Sequence, residues 1–180
     1  MNANHTQLFW TDLRSKRSIN SDHLSPNTYE DFQFYDPLLS PNVAVVKVAP
    51  GIDWFSQVLP NSWQLNLHSF RFADYWLLKF IESNDAVLIQ QLKVTVLDYL
   101  DKVWAEQDRY RKSKSKSFKH VHSDTAVANR AAIIALLVGP FGPAMSEGEN
   151  KKLLSALHDH VAHASSDENY NSNNHGLFND

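Results

Sequence analysis

The chain has 180 residues, enough to bury the core of one domain, and 43% hydrophobic with 21% charged residues is the balance of an ordinary globular fold. A formal net charge of −3 gives no global attraction to nucleic acid or acidic lipid, and the absence of Cys removes disulfide staples and thiolate chemistry. The longest apolar run, Ala131 to Val138, is too short to cross a bilayer, and Met1 to Thr6 lacks the basic and apolar pattern of a secretory signal.

His5 to Lys16 reads as a short, weakly amphipathic helix through Leu8, Phe9 and Leu13. Arg17 to Pro41 is rich in turn formers. Val43 to Val48 is β-branched and extended in character, but no second strong strand signal offers it a partner. Residues 1–51 are therefore expected to form an irregular N-terminal segment. After Pro60 the pattern turns helical. Trp63 to Glu82 keeps Leu67, Phe70, Ala73, Leu77 and Phe80 on one face, and Asn84-Asp85 is placed to cap the next helix, Ala86 to about Glu106. The run Arg109 to Lys119, with alternating Lys and Ser, reads as a basic linker. A small-sided helix follows from Ser123 or Asp124 to Val138, closed by Gly139-Pro140. Ser146 with Glu149 fits a capping box opening a helix that runs to about Ala164, before a polar loop from Ser165 to Asn174. The expected fold class is all-α, built from antiparallel helical hairpins.

Several polar groups invite a functional reading. Ser172-Asn173-Asn174-His175-Gly176-Leu177 sets two amides and an imidazole side by side, which suits neutralisation of a sugar carboxylate. The competing reading is a turn and helix cap, a frequent role of Asn. His122 and Arg130, eight residues apart, can bind sulfate or carboxylate, or serve as a cap and a structural ion pair. Asn66 and His68 can line a cleft or bond locally. His158, His160 and His163 do not converge on one helix face as a zinc site requires, so neither a metal nor a cofactor is expected. The basic run is a solvated loop in its plainest reading, and in a functional one it attracts a polyanion. Nucleic acid is not expected as a partner, because no recognition motif accompanies it.

Three segments carry a family resemblance. Ile52-Asp53-Trp54 with Ser62-Trp63-Gln64-Leu65-Asn66-Leu67-His68-Ser69-Phe70 is similar to a segment of the heparinase II/III-like polysaccharide lyases. His122 to Arg130 is similar to a "His-x-x-Thr-Ala-x-x-x-Arg" helix, and the third segment runs from His158 to Leu177, where Asn173-Asn174-His175-Gly176 resembles the family's "Asn-Asn-His-Gly" signature. The segments keep the family's order over residues 52–180. The resemblance implies an incomplete α/α toroid, no cofactor, an acidic polysaccharide as partner, and β-elimination beside a uronate. The polymer could be a glycosaminoglycan, an alginate or an exopolysaccharide. It makes Asn174 and His175 the catalytic candidates, and Asn173, His122, Arg130 and His68 the substrate-binding ones. Asn173 replaces Asn174 if the register is off by one. The family's catalytic Tyr is expected beyond Asp180, so the chain is expected to be the N-terminal part of a lyase, inactive alone. Family members are often periplasmic or secreted, and the compartment stays unassigned.

Overall fold

Short-range capping and two left-handed residues decide where the helices of this chain begin and end. The computed structural model describes residues 31–32, 46–55, 61–112 and 116–166. Its helices are α1 Asn61–His68, α2 Arg71–Ser83, α3 Ala86–Lys102, α4 Gln107–Lys112, α5 Asp124–Val138 and α6 Glu147–Ala164. Three 3-10 segments, Trp104–Glu106, Lys116–Val121 and Gly142–Ala144, connect them. The described chain is helical, as its periodicity predicts. The one addition is a two-residue antiparallel ladder of β1 Asp31–Phe32 with β2 Val46–Lys47, pairing Asp31 with Lys47 and Phe32 with Val46. The expected strand thus has a partner upstream, where two residues are too few to leave a periodic signal. The expected helix at His5 to Lys16 and the segment Asn171 to Leu177 lie outside the described residues.

The helix expected from Trp63 to Glu82 is two helices. Phe70 turns left-handed at φ 55°, and the Ser69 hydroxyl donates to the Leu65 carbonyl at 2.7 Å, closing the end of α1. A left-handed L-residue costs about 1–2 kcal/mol. Burial of the Phe70 ring against Tyr99, edge-on at 4.8 Å, and beside Trp54 at 6.5 Å offsets that cost. At the α2–α3 corner Asn84 is left-handed at φ 54° and donates its N–H to the Phe80 carbonyl at 2.7 Å. Asp85 then caps α3 by accepting from the Val87 N–H at 2.9 Å. The expected capping box of α6 is present in both directions: Ser146 Oγ accepts from the Glu149 N–H, and the Glu149 carboxylate accepts from the Ser146 N–H at 2.8 Å.

Helix α3 stops at Lys102 rather than Glu106. The tighter 3-10 turn that follows begins at Trp104, and both Val103 and Trp104 are buried in the core. The basic linker carries α4 and a 3-10 segment where a loop was expected. The core joins Leu67, Phe70 and Leu77 to Leu92, Val96 and Tyr99, and to Ile134, Leu137 and Leu153. Helices α5 and α6 form the most closely packed hairpin, followed by α2 and α3. Across the two hairpins, Lys93 of α3 pairs with Glu149 of α6 at 3.0 Å, and Lys152 pairs with Asp101.

The corner chemistry sets the sign of two substitutions. Asp85→Ala is expected to lower stability by about 1 kcal/mol in urea unfolding, because an N–H of α3 loses its acceptor. Asn84→Gly is expected to leave stability unchanged or raise it by less than about 1 kcal/mol, because glycine takes the same left-handed backbone without a Cβ.

Candidate functional site

Arg130 sits mid-helix in α5 among Ala126, Val127, Ile133, Ile134 and Leu137, all of them buried. That spacing carries it inward, and it is 0% exposed. Its Nε donates to His160 Nε2 at 2.9 Å, Nη1 to the His68 carbonyl at 2.6 Å, and Nη2 to the Val121 carbonyl at 2.6 Å. The rings of Tyr99 and Trp104 flank it, each centroid 5.2 Å from Cζ.

Two of the acceptors have a common origin. His68 is the last residue of α1, and Val121 ends the 3-10 segment Lys116–Val121. The last carbonyls of a helix lack intrahelical partners and carry its negative end. A guanidinium placed there satisfies those carbonyls, and their partial negative charge offsets its own. No carboxylate pairs with Arg130 among the described residues. Burial lowers its pKa from the usual value, and an arginine starting above 12 keeps its proton.

The third acceptor depends on a tautomer. His160 Nδ1 lies 2.7 Å from the Ala156 carbonyl, which fixes the proton on Nδ1 and leaves Nε2 bare to accept from Arg130. Trp104 stacks on this imidazole at 3.9 Å and 29°. Burial, with the Arg130 charge second, pushes the His160 pKa down to about 2. His68, whose Nδ1 is 3.2 Å from the Tyr99 hydroxyl, is pushed down to about 3 by burial first and then by Arg130. Burial also raises the Tyr99 phenol to about 12. Near neutral pH the cluster is therefore one cation among neutral rings.

This placement corrects two sequence expectations. Arg130 and His68 were read as substrate contacts, yet both are 0% exposed and Arg130 is engaged by backbone carbonyls. A polysaccharide cannot reach either without opening the fold, so both are structural ties. His122 is half-buried, and its Nε2 lies 3.1 Å from the Gln107 carbonyl. It precedes α5 instead of sharing that helix with Arg130. Its ring is 5.3 Å from that of His163. Asn66 is half-buried as well. The His158 side chain is 84% exposed while His160 is buried, so the two point to opposite sides of α6. Asn173, Asn174 and His175 lie outside the described residues.

The residues that sequence reasoning missed are Tyr99, Trp104 and His160. The usable signal was the apolar stripe around Arg130, which marks an inward arginine in need of acceptors. Trp54 reinforces the same region: its indole N–H donates to Asp98 at 3.0 Å, and its ring meets Tyr99 edge-on at 4.9 Å. No known protein family, curated protein or solved structure matches the chain.

The buried imidazoles dictate a pH dependence. Both are held neutral in the fold, below the 6.5 of a free His, so the unfolded chain binds protons first as pH falls. Their stabilisation is complete above pH 6.5 and declines below it, toward the folded values of about 3 and 2. The limiting slope is about 1.4 kcal/mol per pH unit for each histidine. Urea unfolding between pH 7.5 and 5 should show this decline, and His160→Gln, which keeps an acceptor for Arg130, should shallow it by one histidine's share. Arg130→Met should cost about 3 kcal/mol or more at pH 7.5, because two buried carbonyls lose their donor.

Proposed function

We propose that this chain is the helical part of a polysaccharide lyase, an incomplete α/α toroid acting by β-elimination on a uronic-acid-containing polysaccharide. The observation that carries the reading is the meeting of three separate sequence segments at one guanidinium. His68 belongs to the segment Ile52–Phe70, Arg130 to His122–Arg130, and His160 to the stretch that runs from His158 toward Leu177. These are the segments similar to the lyase family, and Arg130 binds His68 and His160 directly. Segments that belong to one functional unit are expected to be coupled in space.

The residues then divide by role. Arg130 and His68 are positioning residues. They fix the end of α1 against α5 and α6, and α6 leads toward Asn173-Asn174-His175. Chemistry falls to that later segment. Removing the C5 proton of a uronate drives negative charge onto the adjacent carboxyl group. The Asn174 amide is the donor that stabilises it, His175 supports that contact, and Asn173 takes the role if the register shifts by one. A nearby base such as a Tyr would take the proton and return one to the leaving oxygen.

A second reading is favoured by the burial of Arg130 and His68. With these removed from substrate contact, the helical shell can act as a binding or scaffold module for acidic polysaccharide without cleaving it. The discriminating assay is ultraviolet absorbance of the unsaturated uronate, run on a panel of acidic polysaccharides. It is run for the chain alone and for the longest reading frame that contains it. The lyase reading expects product from the longer form, with a loss of about a hundredfold or more in Asn174→Ala. Polyanion binding without product in either form would move the assignment to the binding module.

A further inference from the structure

Helix α5 has no charged outer face. After Asp124 its only charged residue is Arg130, which is buried, and apart from Thr125 and Asn129 the rest is Ala, Val, Ile and Leu. A helix that is apolar all round is expected to be covered all round. The side opposite Arg130 is open: Ala132 and Ala135 are exposed and Ala128 is half-buried. Spaced by four and three residues, these three line up as a narrow trough of methyl groups. Helix α6 borders that trough. Its Asn150 amide donates at 3.4 Å to the carbonyl of Gly142, in the turn that follows α5, which marks the side of α6 that adjoins α5. Leu154 and Val161, four and eleven residues after Asn150, lie within about 40° of the same line along the helix. They are 54% and 50% exposed, two of the three exposed large hydrophobic side chains among the described residues. His158 stands about 80° further round, away from α5.

We propose that this outer face of the α5–α6 hairpin binds a second copy of the chain about a two-fold axis, with Leu154 and Val161 of each copy seated in the Ala128, Ala132 and Ala135 trough of the other. A two-fold interface sets one patch against itself, so the patch must be its own complement. Here a ridge of large side chains and a trough of small ones lie side by side, and neither carries a charge that would repel its copy. A partner selected by charge would find none to pair with. Alanines at the contact let helices approach to about 8 Å, the close end of helix packing. The size agrees as well. Helices α5 and α6, of 15 and 18 residues, run about 22 and 27 Å and together span about 20 Å across. Pairing would cover roughly 500 Å² on each copy, which reaches the ~1,000 Å² total expected of a specific interface. An interface at that lower limit gives a weak dimer, with dissociation expected in the micromolar range.

The test is sedimentation velocity on the full chain from about 2 to about 200 μM, a range that brackets micromolar dissociation by mass action. The expected result is a concentration-dependent passage from 20.6 kDa to twice that mass, and no further. Leu154→Glu and Val161→Glu each bring a carboxylate to the apolar trough of the opposing copy and should weaken the dimer about tenfold or more. Ala132→Glu should do the same from the α5 side. Val87→Glu, the same kind of change at the third exposed hydrophobic, should leave the dimer unchanged, because Val87 belongs to α3. All four positions are exposed, and the comparison uses the variants whose far-ultraviolet circular dichroism matches that of the parent chain. A mass of 20.6 kDa at every concentration would overturn the proposal and leave the face to another occupant, such as a further helix. Growth past the dimer would overturn it too, as would a dimer that the α5 and α6 glutamates leave intact or that Val87→Glu weakens equally.

Discussion

The described structure depends on one buried guanidinium. Arg130 reaches from α5 to the open C-terminal carbonyls of α1 and of the Lys116–Val121 turn, and to an imidazole of α6. Val121 is nine residues from Arg130, but His160 and His68 are 30 and 62 residues away, and directional bonds at 2.6–2.9 Å fix the register of those elements. The arrangement also explains how a cation tolerates full burial. Helix ends supply partial negative charge and unsatisfied acceptors, and the faces of Tyr99 and Trp104 supply a weaker attraction of the same sign. A carboxylate partner would have brought its own desolvation cost.

Around that tie the fold is built from local decisions. Caps at Asp85 and Ser146 start helices, and left-handed residues at Phe70 and Asn84 stop or turn them. The rings of Tyr99 and Trp104 flank the guanidinium, and Trp54 and Phe70 pack edge-on against Tyr99. Arg130 and His68, from the first two motif segments, are thereby spent on holding the helices together.

What was legible in the sequence follows from the range of the forces involved. The starts of α3 and α6 were readable because a cap is a bond between residues two or three apart. The end of α5 was readable from Gly139-Pro140, and that of α6 from the polar residues that follow Ala164. The break at Ser69 and Phe70 was hidden, since the same period runs straight across it and the left-handed Phe is selected by rings that arrive from Trp54 and Tyr99. The pairing of Asp31–Phe32 with Val46–Lys47 was hidden for a similar reason, because a two-residue ladder has no periodicity of its own. Arg130 was misread because its charge drew attention away from its neighbours. Ala126, Val127, Ile133, Ile134 and Leu137 already placed it on the inward face, and only the acceptors awaiting it there were beyond a sequence reading.

The most direct test of this account is a double-mutant cycle between Arg130→Lys and His160→Phe, read as unfolding free energy in urea at pH 7.5. Lysine keeps a charge but has no Nε–H to give His160, and phenylalanine keeps a ring on Trp104 but offers no acceptor. If the guanidinium–imidazole bond joins α5 to α6, each change removes the same interaction. The two effects together should then fall short of additivity by about 1 kcal/mol or more. Additive effects, within about 0.5 kcal/mol, would contradict it, and the convergence of the three motif segments would then be proximity without coupling.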